Sequence, residues 1–154
     1  LVIYSASPTT DKILRSLNIP SVSAFKGSVP SSQVEAIQHD ADVLVHVESF
    51  KKSQRYIARL SFSTKIVDYL AACKPILAVG WEGSGGIEYL KSNAAAEVVT
   101  DIDSLTDSLR KLVCDVNYRK TLAHRAFECG RRNHQFSQVR QILEEDILKC
   151  IAKQ

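Results

Sequence analysis

Short apolar runs separated by stretches of helical spacing constrain this chain more than any other feature. The runs are Leu1 to Tyr4, Val22 to Phe25, Val43 to Val47, Ile76 to Val79 and Ala95 to Val99. Runs this short, bounded by turn residues, read as buried strands. Helical spacing predicts helices over Thr9 to Leu17, Pro30 to His39, Thr64 to Cys73 and Ile87 to Ser92. Three more follow the last strand: from Asp103 or Ser104 to about Val116, Tyr118 to about Arg132, and Val139 to Ala152. Strands alternating with helices predict an α/β fold, a Rossmann-like parallel sheet with helices on both faces. At 154 residues the expectation is a single domain over 1–154, long enough to bury a core.

In a parallel sheet of this kind ligands bind outside the carboxyl ends of the strands. The segments expected there are Ser5 to Pro8, Phe25 to Pro30, Val47 to Ser63, Gly80 to Gly86 and the turn after Val99. Two of them carry chemistry. The first leads into Ser63-Thr64-Lys65, where Ser61 or Ser63 is expected to cap the next helix. Free amides, hydroxyls and a lysine at a helix start suit phosphate. Asp68, three residues after Lys65 and four after Thr64, shares their face and suits sugar hydroxyls. A solvated lysine–aspartate pair on an ordinary helix is the plainer reading of the same spacing. The second is Gly80-Trp-Glu-Gly-Ser-Gly-Gly86, which allows close backbone approach to a ligand but matches neither a dinucleotide fingerprint nor a Walker A loop. Trp81 is equally a packing residue or a ligand contact.

Between these segments, Glu48 to Leu60 has little apolar patterning and carries Lys51, Lys52, Arg55 and Arg59. It is expected to be a long mobile loop.

Other chemistries lack their residues. His39, His46, His124 and His134 have no metal-ligand spacing, so each is read as structural and no metal is expected. His46-Val-Glu48 is not followed by the Pro-Cys-x-x-Cys of a zinc deaminase. There is no Gly-x-Ser-x-Gly elbow, and the first and third strands do not end in the acids a receiver domain needs. A net charge of +3, without aromatics interleaved among basic residues, gives no sign of nucleic-acid binding. Cys73, Cys114, Cys129 and Cys150 have no paired spacing and are expected to be reduced and buried, as in a cytosolic protein. No apolar run is long enough to span a bilayer. A chain that opens inside a strand-like run and contains no methionine is expected to be a piece of a longer protein.

Three pieces together carry a resemblance: Phe25-Lys-Gly-Ser-Val-Pro30, Asp40-Ala-Asp-Val-Leu-Val-His46, and Ser63-Thr-Lys-Ile-Val-Asp-Tyr-Leu-Ala-Ala-Cys-Lys-Pro-Ile-Leu77. In order and spacing they resemble the C-terminal, nucleotide-sugar-binding half of retaining GT-B fold glycosyltransferases, the glycosyl transferases group 1 type. The resemblance runs from Leu1 to about Asn133. It implies half of a GT-B fold, with an N-terminal acceptor domain of the same protein as partner. It also implies transfer of a sugar from a nucleotide-diphosphate donor in glycan or cell-surface polysaccharide synthesis, with no metal or other cofactor. By resemblance, Asp68 holds the ribose hydroxyls. Ser63 and Thr64 meet the diphosphate, with Lys65 as its charge partner. Gly27 to Val29 lies against the base, and Glu48 is the acid nearest the donor sugar. The sequence departs from the pattern where Asp68 replaces a glutamate, Cys73 replaces a glycine, and no acid stands near Leu60. Lipid-linked acceptors are common in the family. The basic residues from Lys51 to Arg59 then suggest peripheral contact with the inner face of a membrane from the cytoplasm. Two rivals stand beside this reading: a nucleotide-sugar epimerase of the same fold, and a non-catalytic interaction domain that kept the fold.

Overall fold

Every strand pairing in the structure, a computed structural model that describes residues 1–151, is parallel. The chain divides into two compact units, Leu1–Ile37 and Gln38–Gln154.

In the first unit β1 (Val2–Ile3) pairs with β2 (Ala24–Phe25), in the register Val2 to Ala24 and Ile3 to Phe25. Helix α1 (Asp11–Leu17) links them. The Thr10 hydroxyl caps it by accepting from the Ile13 amide. Asn18 closes it: both its amides donate to the Leu14 carbonyl, while its Oδ1 accepts from the Phe25 amide at 2.8 Å. One side chain thus ties the helix end to β2. Both strands are shorter than their apolar runs. Val22 is taken up by a turn in which its amide donates to the Ile19 carbonyl and Ser21 has a φ of 61°. Helix α2 (Ser31–Asp40) follows, and the boundary between the units falls within it.

The second unit holds a three-stranded sheet of β3 (Leu44–Val47), β4 (Ile76–Val79) and β5 (Glu97–Val99), in that spatial order. The helices are α3 (Arg55–Leu60), α4 (Lys65–Ala71), α5 (Gly85–Ser92), α6 (Leu105–Cys114), α7 (Val116–Asn133) and α8 (Phe136–Ile151). The central strand β4 is buried at every position. Successive side chains of a strand point to opposite faces. Ile76 and Ala78 accordingly join Ile66 and Leu70 of α4, Ile87 and Leu90 of α5, and Ala126 and Cys129 of α7. Leu77 and Val79 join Val99, Leu112 of α6 and Leu122 of α7. Right-handed crossovers between strands advancing in one direction put their helices on one face, which is why α4 and α5 share a cluster. The result is a parallel α/β fold with helices flanking the sheet, a generic Rossmann-like arrangement.

Local expectations needed correction in several places. Glu48 to Leu60 is not an irregular loop: a 3-10 turn at Lys52–Gln54 leads into α3. The helix was masked because its apolar residues Tyr56, Ile57 and Leu60 face solvent, and only Ala58 is buried. Helix α7 begins at Val116, two residues before Tyr118, and is capped by Asp115, whose carboxylate accepts from the Tyr118 amide at 2.8 Å. Helix α5 begins two residues before Ile87, at Gly85. Helix α8 starts at Phe136, ahead of the expected Val139, and Ala152, its expected end, lies outside the described residues. All four cysteines are free, but only Cys129 is buried; Cys73, Cys114 and Cys150 are exposed.

Candidate functional site

The carboxyl ends of β3 and β4 are tied together by the backbone. The Glu48 amide, first after β3, donates to the Val79 carbonyl at 2.8 Å, and the Gly80 amide donates to Val99 at 3.0 Å. A β-carbon on Gly80 would stand 2.7 Å from the Glu48 β-carbon and 3.1 Å from its carbonyl oxygen. Glycine at 80 is what lets the two strand ends approach.

Glu48 does not stand alone. Its Oε1 lies 3.2 Å from Nε2 of His46, a residue of β3 only 6% exposed. Burial pulls the imidazole below its ordinary 6.5, with a further push from the Lys65 charge; the Glu48 carboxylate opposes both. The net direction is down, so the ring is neutral at pH 7 and the contact is a hydrogen bond rather than an ion pair. A carboxylate only accepts, so Nε2 carries the proton. His46 therefore holds the Glu48 carboxylate at the strand end, and the Lys65 charge is felt at His46.

The glycine-rich segment wraps this corner. A β-carbon on Gly86 would meet Ile66 Cδ1 at 2.8 Å, His46 Nε2 at 3.4 Å and Glu48 Oε1 at 3.7 Å. One on Gly85 would meet the Ser61 carbonyl at 2.9 Å and that of Arg59 at 3.2 Å. These glycines let the loop close onto the protein's own chain, onto the end of α3 and the His46–Glu48 pair. Ser84, before α5, is fully buried, and its hydroxyl has no hydrogen-bond partner among the described residues. Trp81 is a packing residue here. The Arg55 guanidinium sits 4.9 Å from its ring centroid, and Gly83 leaves space for the ring edge.

On the other side of the corner stands the start of α4. Neither Ser61 nor Ser63 caps it. Ser61 ends α3, and the residue before α4, Thr64, is already helical at φ −59° and ψ −27° with no side-chain cap. The first turn closes instead through backbone bonds from Ile66 to Ser63 and from Val67 to Thr64. The Ser63 and Thr64 hydroxyls are thus not engaged as caps. Thr64, Lys65 and Asp68 are exposed and Ser63 is half-buried. Phe62 anchors this segment: its ring meets Tyr89 edge-on at 5.2 Å and stacks on His134 at 6.1 Å. The Tyr89 hydroxyl in turn bonds His134 Nε2 at 2.8 Å and lies 3.3 Å from Cys129 Sγ.

Gly27 and Val29 belong to the first unit. Gly27 has a φ of +76°, a β-carbon there would meet nothing within 4 Å, and its carbonyl accepts from the Ser5 amide. Sequence reasoning missed the pairing of His46 with Glu48, the buried Ser84 hydroxyl and the Phe62 anchor. The His-x-Glu spacing was the one available signal for the first, since alternate residues of a strand share a face. Among the described residues no group of three potential metal ligands comes together.

The corner therefore offers a carboxylate oriented by a buried histidine at a parallel sheet's carboxyl edge, with the Lys65 charge felt at that histidine. No protein-family model matches the chain, and no curated protein matches it.

Proposed function

We propose that this chain is the donor-binding part of a glycosyltransferase that uses a nucleotide-diphosphate sugar. The observation that supports the reading is the Glu48 carboxylate held by His46 at the carboxyl edge of β3 and β4, with the Lys65 charge felt at His46. Lys65 and the Ser63 and Thr64 hydroxyls bind the diphosphate and stabilise it as it leaves. Asp68, one turn along the exposed side of α4, accepts from the ribose hydroxyls. Glu48 faces the donor sugar, and its carboxylate is aligned in advance by a neutral histidine.

Titration of UDP, GDP and ADP, followed by amide NMR, tests this. Shifts at Ser63 to Asp68 and at Glu48 are expected. Absence of binding at millimolar nucleotide would overturn the reading and favour an interaction domain that kept the fold.

The His46–Glu48 pair also supports a second reading, a nucleotide-sugar epimerase, since that chemistry uses a histidine and an acid. The burial of His46 favours the transferase, because a buried ring positions a carboxylate better than it reaches a substrate. Labelled nucleotide sugar separates the two. A transferase passes label to an acceptor, whereas an epimerase returns an isomerised sugar or releases it with free nucleotide.

A further inference from the structure

We propose that α3 and the turn before it form a docking surface for an anionic lipid bilayer. From Ser49 to Val67 the chain contains no acid and carries Lys51, Lys52, Arg55, Arg59 and Lys65. Among the described residues, none of the four cations from Lys51 to Arg59 is in an ion pair with an acid. Such a run is already positive enough to seek an anionic surface.

The structure adds an apolar face to that charge. In α3 only Ala58 is buried and Arg55 is held over Trp81, so one side of the helix faces the protein. At 100° per residue Tyr56, Leu60 and Ile57 occupy the opposite side in one band. They are 80%, 75% and 70% exposed, which leaves large apolar groups standing in solvent. Arg59 flanks the band, and Lys51 and Lys52 precede it.

That combination selects among partners. A nucleic-acid backbone would satisfy the cations but leave isoleucine and leucine in water. A bilayer interface satisfies both, because lysines and arginines meet anionic headgroups while apolar side chains enter the acyl boundary. Tyrosine is a residue of that interface. The end of α3 packs on Gly85 through the carbonyls of Arg59 and Ser61. A docked α3 therefore brings the carboxyl edge of the sheet beside the lipid surface. The proposal does not depend on what that edge binds.

The test is co-sedimentation of the chain with vesicles of phosphatidylcholine alone and of phosphatidylcholine with phosphatidylglycerol. Binding to the anionic vesicles is expected to exceed binding to the neutral ones by about tenfold or more, and to fall with salt. The Lys51→Gln, Lys52→Gln double variant is expected to lose about tenfold. The Tyr56→Ser, Leu60→Ser double variant is expected to lose a similar factor. The exposure of all four positions leaves the circular dichroism and melting temperature near wild type. Equal binding to both vesicle types, or variants that bind as the parent does, would overturn the proposal. So would a chain that ignores vesicles and instead dimerises through Leu60 or binds RNA.

Discussion

His46 Nε2 lies 3.2 Å from Glu48 Oε1, joining a buried ring of β3 to the carboxylate that stands just past the strand's end. Burial depresses the ring's pKa first and the Lys65 charge adds to it, while Glu48 acts the other way. In a proton NMR titration the His46 midpoint is expected below 6.5. Removing Lys65 with Lys65→Ala should raise it, and Glu48→Gln should lower it further. A midpoint that ignores both substitutions would sink the proposed neighbourhood.

The same shift predicts a stability slope. The unfolded chain takes up a proton at its ordinary histidine value, and folded His46 resists it, so the unfolded state binds more protons just below pH 6.5. His46 thus contributes stability above that value which is lost as pH falls through its folded pKa. His46→Asn should flatten the fall in melting temperature on the acid side, whatever its effect at neutral pH.

Tyr89 supplies the alkaline counterpart. Its pKa is pushed up to about 12, first by burial and then by its bond to Cys129. Between pH 10 and that value the unfolded phenol ionises and the folded one does not, so stability falls as pH rises. Tyr89→Phe should weaken this alkaline loss. It should also cost about 1–2 kcal/mol at neutral pH, since the hydroxyl links α5 to His134 and Cys129. Urea unfolding at both pH values measures the two effects.

Cys73 has a φ of +53° just past the end of α4, a left-handed position where a β-carbon is unfavourable. Cys73→Gly should stabilise the fold by about 0.5–1 kcal/mol, the relief of that strain exceeding the added freedom of the unfolded chain. Gly80→Ala should do the opposite, costing about 1–3 kcal/mol, because its β-carbon would collide with Glu48 β-carbon and backbone. Equilibrium denaturation that reverses either sign would overturn the backbone account.

Asp68 is exposed, and among the described residues its carboxylate forms no ion pair. Asp68→Ala should leave the melting temperature within about 1 °C of the parent and reduce nucleotide affinity about tenfold, or 1.4 kcal/mol. Isothermal calorimetry with UDP, GDP and ADP measures it; undiminished affinity would remove Asp68 from the ribose.

Alternating apolar runs and helical spacings determined the strands β1 to β5, most of the helices and the parallel α/β class, because hydrophobic periodicity is local and readable residue by residue; the single sheet expected from them is instead two, β1 with β2 and β3 to β5. The helix start at Ser63 to Lys65 and its place after β3 were legible for the same reason. What tertiary structure decided rests on contacts between distant residues. Gly80, Gly85 and Gly86 are explained by the chain they touch, at Glu48, Ser61 and Ile66, rather than by a motif. Helix α3 escaped the sequence because its apolar residues face outward, which breaks the pattern that marks a buried helix. The neutral His46 that aligns Glu48 was invisible because burial, which sets its charge, exists only once β3 lies against β4.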